Sequence, residues 1–234
     1  MEISGGDDRE RRDEISLLAE ELVQLLVKGS KAVPSSKPTL ICTVWKEKMY
    51  NPDSFRAHMK GIWKTRKKFE IQLAGQNLFL IIFELEEVLE SILDGRPWLF
   101  QKSLNWFDKL SQVMERDQIK LTSSPFWIKF ESCSPEFDKK DLLRTIGGTF
   151  GGVLRSEVSE EICRLRINLN AQKPLRRGIF VSTDYVSKVW IPFKYENLPL
   201  FCFGCGRMGH GLSKCIQIAP EKKKRKLATI PLTR

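Results

Sequence analysis

Apolar positions along the chain change their spacing several times, and each change marks a different element. Ile15, Leu18, Leu22, Leu25 and Leu26 recur three and four residues apart, the spacing of one helix face, so a helix is expected over 13–28. Gly29 and Ser30 stop it, and Pro34, Ser35, Ser36, Lys37 and Pro38 read as a linker. From Thr39 the order becomes strand, helix, strand, strand, helix, strand. Residues 40–45 are β-rich; Asn51 and Pro52 offer a cap and a first position for a helix over 55–64 that turns Phe55, Met59, Ile62 and Trp63 inward. Residues 69–73 and 78–83 form a hairpin with its turn at 74–76. A helix over 85–93 ends at Asp94 and Gly95, and 99–107 supplies the last strand. This is the split βαβ order of ferredoxin-like folds, which RRM domains share.

A second α+β segment follows. Residues 126–130 read as a strand and 138–150 as a helix loosened by Gly147, Gly148, Gly151 and Gly152. Over 162–170 the alternation is clean: Leu165, Ile167 and Leu169 face one way, and Arg164, Arg166, Asn168 and Asn170 the other. The chain turns at 174–177, residues 178–182 return as a partner strand, and 189–193 add another.

Charge then narrows the function. The chain has 234 residues and a net charge of +10, with 41% hydrophobic residues, enough for a folded core. Residues 1–30 hold eight acids and four bases, which leaves +14 on the rest, a field that attracts polyanions. Nucleic acid is the default partner. The longest apolar runs fall far short of the roughly 18 to 20 residues a bilayer requires, and Met1 opens into Glu2, Asp7 and Asp8, so neither a membrane partner nor a secretory signal is expected. Six cysteines then point to a reducing compartment and to metal or packing.

The chemistry concentrates in FCFGCGRMGHGLSKC. Cys202, Cys205, His210 and Cys215 stand in a C-x2-C-x4-H-x4-C spacing, and three thiolates with one imidazole close a tetrahedral zinc shell without an open position. One structural Zn2+ is therefore expected. Gly204, Gly206, Gly209 and Gly211 are expected to supply the φ > 0 turns such a short loop needs. The loop resembles the zinc knuckles of retroviral nucleocapsid proteins. In those modules an aromatic or apolar residue after the first Cys and another before the His form a platform for an unpaired base, a resemblance that implies this role for Phe203 and Met208. Arg207 and Lys214 either meet phosphate or offset the negative charge of three thiolates.

A longer run of motifs widens the resemblance. GQNLFLIIFE followed by GRPWLF, then KPLRRGIFVS, then VWIPFKYENLPLFCFGCGRMGHGLSKC resembles a plant family that carries a domain of unknown function ahead of a CX2CX4HX4C knuckle and is common in LINE-type non-LTR retrotransposons. The resemblance covers about residues 39–215. It implies an RRM-like domain and a knuckle that bind nucleic acid, as the RNA-packaging product of a retroelement or as a host gene derived from one. On the expected hairpin strand, however, Phe79, Ile81 and Phe83 face the core, so Leu78, Leu80 and Ile82 take the sheet face where an RRM carries stacking aromatics.

Phosphate contacts are expected from Arg164, Arg166, Lys173, Arg176 and Arg177, an acid-free group along the chain whose alternative is a solvated surface; Lys60, Lys64, Arg66, Lys67 and Lys68 either meet phosphate or form such a surface. Lys222 to Lys226 form a basic tail suited to nuclear import or to a further phosphate contact, so the nucleus is the expected compartment and the cytoplasm the alternative. The expected organisation is an acidic segment with helix and linker (1–38), an RRM-like βαββαβ domain (39–110), a second small α+β segment (111–198), the knuckle (199–217) and a basic disordered tail (218–234). The 15–26 helix face offers either a contact between copies of the chain or a docking surface for its own domain. The leading function is non-enzymatic, zinc-dependent binding of single-stranded RNA or DNA. The competing reading is an interaction adaptor in which the knuckle is a structural clip. His58, the only other histidine, has no nucleophile or metal signature around it and is expected at the surface.

Overall fold

The structure is a computed structural model that describes residues 31–46, 49–130, 138–159, 163–182 and 188–220. The 13–28 helix and the 222–226 basic tail lie outside the described residues.

The described part is α+β with antiparallel sheets. A short strand β1 (Lys31–Ala32) precedes β2 (Thr39–Val44) and helix α1 (Pro52–Trp63). Asn51 caps α1 with its side chain accepting from the Asp53 amide at 2.8 Å, Pro52 occupies the first turn, and Phe55, Met59 and Trp63 are buried. Strands β3 (Phe69–Gly75) and β4 (Leu78–Phe83) form the expected hairpin, with the turn one residue later than its local composition suggests. Asn77 sits there at φ 58° and clamps β2, accepting from the Val44 amide and donating to its carbonyl at 2.7 Å. Helix α2 (Glu86–Asp94) ends at Gly95, whose φ of −74° is right-handed. Gly95 is therefore needed for space, because a Cβ there would meet the Trp98 indole, which donates to the Ile92 carbonyl at 2.7 Å.

The expected last strand is two. β5 (Trp98–Phe100) and β6 (Ser103–Lys109) fold back on each other through Gln101 and Lys102, both at positive φ. Together the strands make one five-stranded sheet ordered β3-β4-β2-β6-β5. Its helix face buries Leu40, Cys42, Val44, Phe79, Ile81, Phe83 and Phe107 against α1 and α2. The opposite face is covered as well. Ile41 and Leu78 pack with Ala32 from β1, Leu110 just after β6, Met114 from β7 (Met114–Glu115) and Ile119 from the turn that follows it.

The second sheet is ordered β13-β8-β10-β9, from β8 (Ser123–Lys129), β9 (Arg155–Val158), β10 (Cys163–Asn170) and β13 (Lys194–Tyr195). Helix α3 (Lys139–Gly148), capped by Asp138 accepting from the Lys140 and Asp141 amides, covers it with Leu142, Leu143 and Ile146. Residues 178–182 do not partner β10 as expected. As β11 (Gly178–Ser182) they pair with β12 (Lys188–Pro192) in a separate hairpin, because β8 and β9 already occupy both edges of β10. Leu104 and Trp106 on the covered face of β6 join the core of this second sheet.

Candidate metal centre and nucleic-acid interface

Beyond β13 the chain runs through Leu198, Pro199 and Leu200, and the Leu200 amide donates to the Lys102 carbonyl at 2.9 Å. Phe201 then bridges to Met208, and the loop closes on itself: the Cys202 amide donates to the Arg207 carbonyl and the Gly206 amide to the Cys202 carbonyl, both at 2.9 Å. Two glycines permit this path. Gly206 has φ +77°, and Gly209 has φ +93° at a place where a Cβ would crowd the Trp45 indole. Gly204 and Gly211 do not take positive φ, contrary to expectation. Gly204 is instead needed because a Cβ would collide with Ile218 and Leu212, and Gly211 is extended.

The four predicted ligands converge. The ligand atoms of Cys202, Cys205, His210 and Cys215 all lie within 4.8 Å of one another, and Cys205 Sγ is 3.4 Å from His210 Nε2. Tetrahedral zinc at ordinary bond lengths sets ligand atoms about 3.5 to 3.8 Å apart, so the cluster fits a zinc ion. Leu212 and Ile218 supply an apolar shell around buried Cys202 and Cys215. Burial pushes the Cys202 thiol up, but hydrogen bonds from the Cys205 and Gly204 amides and from the Cys205 and Cys215 thiols together hold it below its ordinary value. Burial raises the Cys205 thiol, and its thiol neighbours raise it further. A dication relieves that repulsion. Among the described residues this is the one group of ligating side chains with such geometry.

The predicted nucleic-acid contacts divide. Phe203 is 56% exposed, stands edge-on to Phe201 at 5.2 Å, and accepts a 2.6 Å hydrogen bond from Arg177 at its carbonyl. Lys173, Arg176, Arg177 and Lys214 are exposed and have no carboxylate partner among the described residues; Arg176 lies 5.4 Å over the Phe150 ring. The same holds for Lys60, Lys64, Arg66, Lys67 and Lys68 at the end of α1.

Four expectations need correction. Met208 is 1% exposed and packed in the second core, so it cannot offer a face to a base. Arg207 is half-buried and donates to the Gln172 carbonyl, tying the knuckle to the loop after β10. Arg164 lies 4.4 Å over the Trp127 ring and is ion-paired with Glu157 at 2.6 Å and Glu196 at 3.1 Å. Arg166 is 8% exposed and donates to the Arg96 carbonyl at 3.3 Å. The stretch is acid-free along the chain, but pairing β10 with β9 brings in Glu157, and the segment after β13 brings in Glu196. His58, exposed as expected, places Nε2 3.0 Å from the Leu99 carbonyl.

What the sequence did not single out is the wall beside Phe203, built from Phe193, Tyr195, Leu198 and Lys102. Aromatic density in IPFKYENLPLFCF was the available signal for most of it; nothing pointed to Lys102, which arrives from the β5–β6 turn.

Among the described residues no helix is long and apolar enough to cross a membrane. Residues 35–117 match the family model described as "Domain of unknown function (DUF4283)", and residues 169–217 match the one described as "Zinc knuckle". The second match begins in β10 and so takes in the segment 172–177, to which the metal loop is tied, and the β11–β12 hairpin after it. No curated protein and no solved structure matches the chain. With its ligand cluster assembled behind the first of these matches, the chain joins a domain of the DUF4283 family to a CCHC zinc knuckle.

Proposed function

We propose that the chain is a non-enzymatic, zinc-dependent nucleic-acid-binding protein that takes single strands, RNA ahead of DNA, with one structural zinc ion. The observation that carries this reading is Phe203, held out on the metal loop beside Arg177 in a neighbourhood of unpaired cations. A base that has left its stack gains roughly 1 to 3 kcal/mol on such a ring, and the cations meet its backbone. Helix-face packing and the β3-β4-β2-β6-β5 order support reading the first sheet as ferredoxin-like, with β5 added at its edge. Its other face is filled by protein, so nucleic acid is taken at the knuckle side and not on an RRM-type sheet. Packaging of a retroelement's RNA, or descent from such an element, and nuclear residence complete the proposal.

A second reading, the interaction adaptor, has one observation of its own: Phe180 and Trp190 on the β11–β12 hairpin are 64% and 45% exposed with ring centroids 4.7 Å apart. Zinc analysis and a salt titration of oligonucleotide binding separate the two. The proposal expects about one zinc per chain and single-strand affinity that falls steeply with salt and drops about tenfold or more in Phe203→Ala. Binding unchanged in Phe203→Ala, with tight partner capture lost in Trp190→Ala, favours the adaptor.

A further inference from the structure

Three of the cations without a carboxylate partner among the described residues, Lys102, Arg176 and Arg177, line one cavity. A groove of about 740 Å³ opens between the metal loop, the β5–β6 turn and the strand ends at 175–177 and 193–200, a size within the range of small-ligand sites. Leu175, Phe193, Tyr195, Leu198, Phe201 and Phe203 form its walls, and Lys102, Arg176 and Arg177 its charged part, with no carboxylate among the lining residues. The walls are held in place. The Tyr195 hydroxyl donates to the Arg176 carbonyl at 2.7 Å, Arg177 Nη2 donates to the Phe203 carbonyl, and the Leu175 amide donates to the Gly206 carbonyl at 2.7 Å.

Apolar aromatic walls reject a bare phosphate, and three unpaired cations reject a neutral apolar guest. The chemistry that satisfies both is a flat ring bearing an anionic group. We propose that this groove is a second base site, in which one nucleobase of a single strand enters between the aromatic walls while its flanking phosphates meet Lys102, Arg176 and Arg177. The inference rests on the nucleic-acid reading above and deepens it: with Met208 in the core, the groove supplies the second position for a base that the metal loop alone lacks. A duplex does not fit, because its bases stay stacked and only an extruded base reaches the walls.

Photocrosslinking of the full, zinc-loaded chain with a single-stranded oligoribonucleotide carrying 5-iodouridine tests the site directly, and needs no variant to fold. Adducts are expected on Tyr195, Phe193 or Phe201. In parallel, Lys102→Ala and Arg176→Ala, at unchanged zinc content, are expected to flatten the slope of log affinity against log salt by about 0.7 each. Adducts confined to Phe203, with both variants keeping the wild-type slope, overturn the groove while leaving nucleic-acid binding intact. No oligonucleotide bound even at low salt overturns both.

Discussion

Arg166 and Met208 illustrate how residue type and residue role part company. Burial lowers the Arg166 pKa, and the Asp94 charge only partly restores it, so this guanidinium belongs to the packing between the two sheets. We expect Arg166→Met to keep the wild-type salt slope of oligonucleotide binding; a slope flattened by about 0.7, the value for one lost phosphate contact, would contradict the placement. Met208→Ala should destabilise the fold by about 2 to 5 kcal/mol in denaturant titration, since it empties core volume beside Phe201. A surface stacking residue would cost almost nothing. No local pattern distinguishes these cases: the alternation of β10 put Arg166 on the polar side, and that side is covered by Arg96 from a distant turn.

Among the elements, those whose signals are local were legible. Asn51, Pro52 and the Phe55, Met59, Trp63 spacing marked α1, and its cap is in place; Asn51→Ala should cost about 1 kcal/mol by thermal or denaturant unfolding. Asp138 caps α3 in the same way, and the Asp141 and Lys140 amides that donate to it hold its carboxyl below the usual range. A carboxyl with a depressed folded-state value stabilises the native state above its ordinary pKa and loses that contribution as pH falls through the lowered one. Circular dichroism below about pH 4 should therefore show the wild type losing stability more steeply than Asp138→Asn, which keeps a capping oxygen without titrating. Equal slopes would remove the cap from the pH response. The split of the last strand was not legible, because Gln101 and Lys102 take positive φ without a glycine or asparagine to announce it. The partner of β11 was not legible either, since strand pairing depends on which edges other strands have taken.

At the scale of the whole molecule, the knuckle is part of the body. Gly206, Gly209 and Arg207 bond to Leu175, Leu200 and Gln172, and Trp45 from the end of β2 lies against Gly209. Because metal and loop folding are one equilibrium, chelation should loosen more than the loop. Hydrogen exchange after zinc removal should accelerate at the Leu175 and Gly209 amides and stay unchanged at Phe79 and Ile81 in the first core. Protection unchanged at Leu175 would mean the loop holds its place without metal.

By itself the amino-acid sequence determined the ligand set, the helix starts and the inward faces of β4 and α1, since each depends on residues a few positions apart whose geometry the backbone sets. Only the tertiary structure decided which cations stay free. A guanidinium is neutralised or left for a partner by the carboxylates and carbonyls that distant segments bring to it, and Glu157, Glu196, Arg96 and Lys102 reach their places through sheet pairing that no short stretch encodes.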